Sequence, residues 1–85
     1  MVMGPTEIGD KISVLAKFAD GDLAPAVIKW QGRRHWVQKV NLHHTEKRGD
    51  DTTHYFSVTT EIGDAVLSYS QKFLFWRLVE TNFSE

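Results

Sequence analysis

Clusters of Gly, Asp and other turn formers interrupt this chain at Asp20-Gly21-Asp22, Gln31-Gly32, Glu46 to Thr52, Gly63-Asp64 and Gln71-Lys72. That punctuation limits the fold more than any other feature. The segments between are rich in Val, Ile, Phe, Tyr, Trp and Thr, and apolar and polar residues alternate through Ile12-Ser13-Val14. Alternation with period two between turn signals is the pattern of half-buried strands. Apolar positions do not recur at helical spacing between a start and a stop signal; Thr60 to Ser70 offers at most one weak helical turn. Strands are predicted near residues 11–19, 24–31, 33–44, 53–61, 65–70 and 73–80, an all-β, six-stranded antiparallel meander.

Turn positions also predict register, because cross-strand partners keep a constant sum of residue numbers. A two-residue turn at Gln31-Gly32 sets Trp30 opposite Arg33, Ile28 opposite His35 and Ala26 opposite Val37. A hairpin centred on Gly21 sets Phe18 against Ala24, Ala16 against Ala26, Val14 against Ile28 and Ile12 against Trp30. The Gly63-Asp64 turn places Val58 near Tyr69 and Ile62 near Ala65, and Gln71-Lys72 pairs Tyr69 with Leu74 and Leu67 with Trp76. In the third strand Val37 is out of phase with Val40 and Leu42, so a β-bulge near Gln38-Lys39 is expected. Such a bulge bends a strand and lets a small meander curl into an SH3-like or related barrel. With Val40 opposite Val58 and Leu42 opposite Phe56, the expected core is Val14, Phe18, Ile28, Trp30, Val37, Val40, Leu42, Phe56, Val58, Leu67, Tyr69, Leu74, Trp76 and Leu78.

With 85 residues there is material for one core and not two. Residues 11–80 are expected to form a single β domain, residues 1–10 an N-terminal lead-in and residues 81–85 a C-terminal tail. The chain has no cysteine, so neither a disulfide framework nor a thiolate metal site is available, which suits a reducing cytoplasm. Apolar runs such as Phe73 to Trp76 fall far short of the roughly 20 residues that span a bilayer. Met1 to Pro5 lacks the charged start and long apolar stretch of a secretory signal. A cytoplasmic protein without a membrane span is the expectation. The pentapeptide Thr-Glu-Ile-Gly-Asp occurs at Thr6 to Asp10 and at Thr60 to Asp64, but the residues that follow diverge, so it reads as recurring turn chemistry.

The formal net charge of −1 conceals a basic middle, where Lys29, Arg33, Arg34, Lys39, Lys47 and Arg48 crowd together. On the face opposite the core the predicted register gathers Leu15, Val27 and Trp36, flanked by Lys17, Lys29 and Arg34. Lys29 stands across from Arg34, where like charges are destabilising unless an anion lies between them. An indole among cations is also what single-stranded nucleic acid needs, since bases stack on the ring and cations hold phosphates. The plainer alternative is that long cationic stems simply cover Trp36. A second outward cluster joins Tyr55, Phe73, Phe75 and Arg77, near Lys72, and three uses stay open for it: stacking on a ligand, packing under Val2 to Ile8, or forming a homodimer seam.

The same parity sets His44 opposite His54, a two-imidazole pair, with His43 on the other face and His35 a half-buried partner of Ile28. Zinc usually takes three or four protein ligands, and Glu46, Asp50 and Asp51 lack ligand spacing, so no metal or cofactor is expected. Ser13, Ser57, Ser68 and Ser70 have no nucleophile-elbow context, and no Gly-rich phosphate loop precedes a helix. The expectation is a non-catalytic binding module for an anionic partner, either single-stranded nucleic acid or an acidic protein segment. A protein-contact or homodimerisation domain is the rival.

The run Trp30-Gln31-Gly32-Arg33-Arg34-His35-Trp36-Val37-Gln38-Lys39-Val40, followed by Tyr55-Phe56-Ser57-Val58 and Trp76-Arg77-Leu78, resembles a family of small uncharacterised bacterial β domains. That family's pattern is Pro, a β run, Trp, Gly-Arg-Arg-Tyr, Val, Val and a late Trp-x-Leu. Pro25 stands where its proline does, and the resemblance covers about two thirds of the chain. His35 replaces the usual aromatic, and the central loop is polar where related sequences often carry further Trp and Arg. The resemblance implies a small β fold. Some members look like appendages of DNA-damage polymerase-like proteins, which implies a nucleic-acid or protein-contact role.

Overall fold

The computed structural model describes residues 6–83, with side chains over residues 8–83. Met1 to Pro5 of the expected lead-in and the last two residues of the expected tail lie outside the described residues. Six strands follow in order: β1 (Thr6–Ala19), β2 (Asp22–Trp30), β3 (Arg33–Arg48), β4 (Asp51–Thr60), β5 (Gly63–Ser70) and β6 (Phe75–Phe83). Each pairs antiparallel with the next, and β1 pairs with β6, so the meander closes into a barrel consistent with a small SH3-like fold. β1 starts before the predicted residue 11 and β6 continues past residue 80. Those extra lengths join in the closure, which runs from Thr6 opposite Thr81 to Ile12 opposite Trp76.

Two long strands change partners along their length. β1 pairs with β6 up to Ile12 and with β2 from Ser13 onward; β3 pairs with β2 up to Trp36 and with β4 from Val37 onward. The bulge expected near Gln38-Lys39 is the register shift between Val37 and Lys39. A second shift, between Val40 and Leu42, places Asn41 outward, where its amide donates to the Thr59 hydroxyl at 2.9 Å. Val40 therefore meets Val58 as expected, but Leu42 meets Ser57 and points out, while His43 takes the place opposite Phe56.

The turns explain the other departures from the predicted register. Asp20-Gly21 and Gln31-Gly32 both take positive φ at their two central residues, as the tight hairpin turn compatible with strand twist demands. Val14 stands opposite Ile28 as expected, but the extra residue Ala26 slips the pairing to Ala16 opposite Pro25 and Phe18 opposite Leu23. The β2–β3 ladder stops at Val27 and Trp36, before Ala26 can face Val37. Gly49 closes a tight turn with Arg48 opposite Asp51, so the expected Glu46 to Thr52 loop is strand over most of its length.

Glu61-Ile62, not Gly63-Asp64, forms the next turn, setting Val58 opposite Ala65 and His54 opposite Tyr69. Gly63 is required there: its φ is 134°, and a Cβ would collide with the Asn82 carbonyl oxygen. The last connection spans Gln71 to Leu74, which pairs Ser70 with Phe75, Tyr69 with Trp76 and Leu67 with Leu78. Asp51 braces it from the neighbouring hairpin. One carboxylate oxygen accepts from the Ser70 hydroxyl at 2.8 Å and the other from the Lys72 amide at 2.9 Å. The Lys72 amide, ahead of the Ser70 hydroxyl, holds this carboxyl below the usual aspartate range.

Ile28, Phe56, Val58, Leu67 and Leu78 are fully buried, with Ala65 and Trp76 beside them. Val14, Trp30, Val37 and Tyr69 pack against this cluster, as does Ile8, the described end of the segment that one of the three open readings set over the outer aromatics. Four expected core residues are exposed. Phe18 lies on the hairpin beyond the reach of β3 and is 75% exposed, Leu74 is in the last turn, and Val40 and Leu42 flank the Asn41 bulge. Trp76 packs on Tyr69 and Phe56 at ring separations of 4.8 and 5.6 Å. Trp76→Ala is therefore expected to cost about 3 to 5 kcal/mol, and Phe18→Ala no more than about 0.5 kcal/mol. Urea unfolding of both variants measures the contrast; equal losses would overturn the core assignment.

Candidate nucleic-acid interface

β-Strand side chains alternate between faces, so once Ile28 and His35 point inward, Val27, Lys29, Arg34 and Trp36 must point out. The ladders carry this across three strands. Leu15 faces Val27, which faces Trp36; in the next row Ser13 faces Lys29, which faces Arg34. Both rows match the predicted patch. Val27, flanked by Leu15 and Trp36, is only 5% exposed despite facing outward, whereas the Trp36 side chain is 61% exposed. Lys17 follows Leu15 on the same face of β1, where it stands opposite Ala24 past the Ala26 bulge. None of the ion pairs among the described residues involves Lys17, Lys29 or Arg34. Glu61 accepts from the Trp36 amide at 3.0 Å and lies 3.4 Å from Nδ1 of the buried His35.

The second predicted cluster divides. Phe75, Arg77 and Tyr55 share the outer face, with Arg77 opposite Ser68 and Ser68 opposite Tyr55. Phe73 stands apart in the β5–β6 turn, 65% exposed, with the Lys72 ammonium 5.4 Å from its ring centre. Phe75 lies under two cations, the Lys11 ammonium at 5.0 Å and the Arg77 guanidinium at 5.1 Å. Lys11 was missed from sequence because it meets Arg77 across the β1–β6 closure, a pairing that no hairpin turn specifies.

The imidazole pair is corrected. His44 faces outward, stacks on Tyr55 and lies 3.5 Å from Glu46, so it does not meet His54. The second bulge instead turns His43 to the Phe56 side of β3, at the exposed end of the core, where its Nε2 is 2.9 Å from His54 Nδ1. His54 Nε2 is in turn 2.9 Å from Gln71 Oε1. The amide oxygen only accepts, so neutral His54 carries its proton on Nε2 and accepts on Nδ1 from the Nε2–H of His43. Among the described residues no group of three or more His, Cys, Asp or Glu side chains is arranged to hold a metal ion.

Comparison of the chain with protein-family models, with curated proteins and with solved structures finds no match.

Desolvation first, then the neighbouring His54, lowers the pKa of His43, with Asp22 opposing and His44 adding to the shift. The folded state thus prefers the neutral ring. Its stabilising contribution is complete above about 6.5, the ordinary histidine value, and is lost as pH falls through the depressed folded value. The melting temperature is expected to drop as pH is lowered from 7 to 5, and to drop less in His43→Phe. Parallel profiles for the two proteins would remove His43 as the cause.

Proposed function

We propose that this protein is a non-catalytic binding module whose outer face, built from Lys17, Lys29, Arg34 and Trp36, takes single-stranded nucleic acid. The observation that carries this reading is the Lys29–Arg34 pair. Two like charges stand directly opposite each other on adjacent strands, outside every described ion pair and beside a largely exposed indole. Bound phosphates would relieve the repulsion between the cations, and bases would stack on Trp36, a contact typically contributing about 1 to 3 kcal/mol per base. The role implied by the resemblance of the Trp30 to Val40 run agrees with this reading, and the absence of cysteine is in keeping with a cytoplasmic setting. Among the described residues no helix is long and apolar enough to cross a membrane.

Fluorescence anisotropy with a labelled 12-nucleotide oligothymidylate tests the proposal. With three cations engaged, affinity is expected to fall by about tenfold or more between 50 and 200 mM salt. The double substitution Arg34→Ala with Trp36→Ala should weaken binding at least about tenfold. A double variant that binds as the parent does would sink the proposal.

Protein contact through a homodimer seam is the second reading, favoured by one observation: Phe73 and Leu74 are adjacent and both strongly exposed in the β5–β6 turn. Sedimentation equilibrium should then give a mass that doubles with concentration and reverts to monomer in Phe73→Ser. A monomer mass across the concentration range removes this reading.

A further inference from the structure

Cations face each other twice on this barrel. Besides Lys29 and Arg34, Lys11 on β1 stands directly opposite Arg77 on β6. The second pair is held in place: Arg77 donates to the Gly9 carbonyl at 2.8 Å, and the Phe75 ring lies beneath both cations. Neither Lys11 nor Arg77 belongs to an ion pair among the described residues, and the neighbouring Asp10 is engaged with the Trp30 indole N–H at 3.3 Å.

The two pairs are joined. Lys11 lies two residues from Ser13 on the same face of β1, Ser13 is opposite Lys29, and Lys11, Ser13, Lys29 and Gln31 line one groove of about 390 Å³. The row then continues from Arg77 across Ser68 to Tyr55. Farther along the sheet the same face turns acidic and amide-rich, with Asp64, Glu80, Asn41 and Asn82 around a separate groove. Phosphates are repelled there, which limits a polyanion to the cationic row.

We infer that the two cation pairs are consecutive phosphate sites of a single nucleic-acid track, which starts at Trp36 and passes over Arg34 and Lys29, then Lys11 and Arg77, to Tyr55. This inference rests on the proposed function and extends it. It makes the face expected to bind a ligand and the face expected to form a contact parts of one surface. Taken through β2, β1, β6 and β5, the path from β3 to β4 has five inter-strand steps, about 24 Å at 4.8 Å per step. The track therefore holds about 4 to 7 nucleotides, the upper figure being that of a stacked strand at 3.4 Å rise. An exposed ring at the start and a half-buried one at the far end favour bases over acidic side chains, since every base offers a face for stacking and a carboxylate does not.

The test is anisotropy with oligothymidylates of three and eight nucleotides, on the whole protein and on two variants at the far pair, Lys11→Ala with Arg77→Gln, and Lys11→Glu alone. Lys11 is exposed, so the single variant keeps the test open if the double variant misfolds. The parent is expected to bind the eight-mer at least about tenfold tighter than the three-mer. Its salt slope should be about −3.5, with Lys17 and the four cations of the two pairs engaged. Both far-pair variants should lose the length advantage, binding the eight-mer no more than about twofold tighter than the three-mer. In the double variant the slope should fall to about −2.1, the value for the three cations of the first site. Octauridylate behaving as the eight-mer does supports the same track for RNA. If the far-pair variants bind the eight-mer with the parent's affinity and slope, while Arg34→Ala with Trp36→Ala does not, the track is overturned and the proposed function stands. If the parent binds neither oligonucleotide, or prefers an octaglutamate peptide, both fall.

Discussion

Two strands that divide their backbone hydrogen bonds between different neighbours hold this barrel together. β1 bonds to β6 before Ile12 and to β2 after it, and β3 bonds to β2 before Trp36 and to β4 after it. Each exchange turns the chain from one sheet into the next while the backbone donors and acceptors stay largely paired. The inner surface of the bend wraps Phe56, Leu67 and Leu78, and the outer surface carries the candidate interface. Lys11 belongs to the half of β1 bonded to β6, and Ser13 to the half bonded to β2. A two-residue step along one strand thereby brings a cation from one sheet beside a cation from the other.

Charge is distributed by strand pairing more than by composition. The formal net charge is −1, yet the outer face has one end with two opposed cation pairs and another with Asp64 and Glu80. A protein this close to neutrality has little long-range attraction for a polyanion, so any preference must arise within a Debye length of the surface, about 8 Å at physiological salt. Local opposition of like charges provides that short-range field at the cost of some pairing stability.

The strand count, the antiparallel meander and the outward patch of Leu15, Val27, Lys29, Arg34 and Trp36 were legible in the chain, because Gln31-Gly32 is a turn whose chemistry fixes register. Val14 against Ile28 and Val40 against Val58 were legible for a similar reason, the need to keep large apolar side chains on one face. What could not be read were insertions that parity does not announce. Ala26 slips β2 and strands Phe18 outside; Asn41 slips β3 and exchanges His44 for His43 beside His54. Asn41 is stabilised by Thr59, a residue 18 positions away, and no local pattern reveals such a partner. Leu74 adopts a positive φ of 60°, a conformation costly for a bulky side chain and one that no residue pattern assigns to leucine. The β1–β6 closure that pairs Lys11 with Arg77 is likewise a property of the completed barrel.

The Asp51 brace has a further consequence. It binds the β3–β4 hairpin to the β5–β6 turn through the Ser70 hydroxyl and the Lys72 amide, and the Gln71 amide adds a bond to the Thr52 carbonyl at 3.0 Å. Among the described residues the β1–β2 hairpin has no comparable hydrogen-bonded tie to β3, since that ladder ends at Val27 and Trp36. Local opening free energies follow the density of such ties. The β1–β2, β3–β4 and β5–β6 turns share one end of the barrel, so amide hydrogen exchange should be graded within that single rim, slow around Asp51 and fast from Ala16 to Ala24: one side of the rim breathes while the other stays shut.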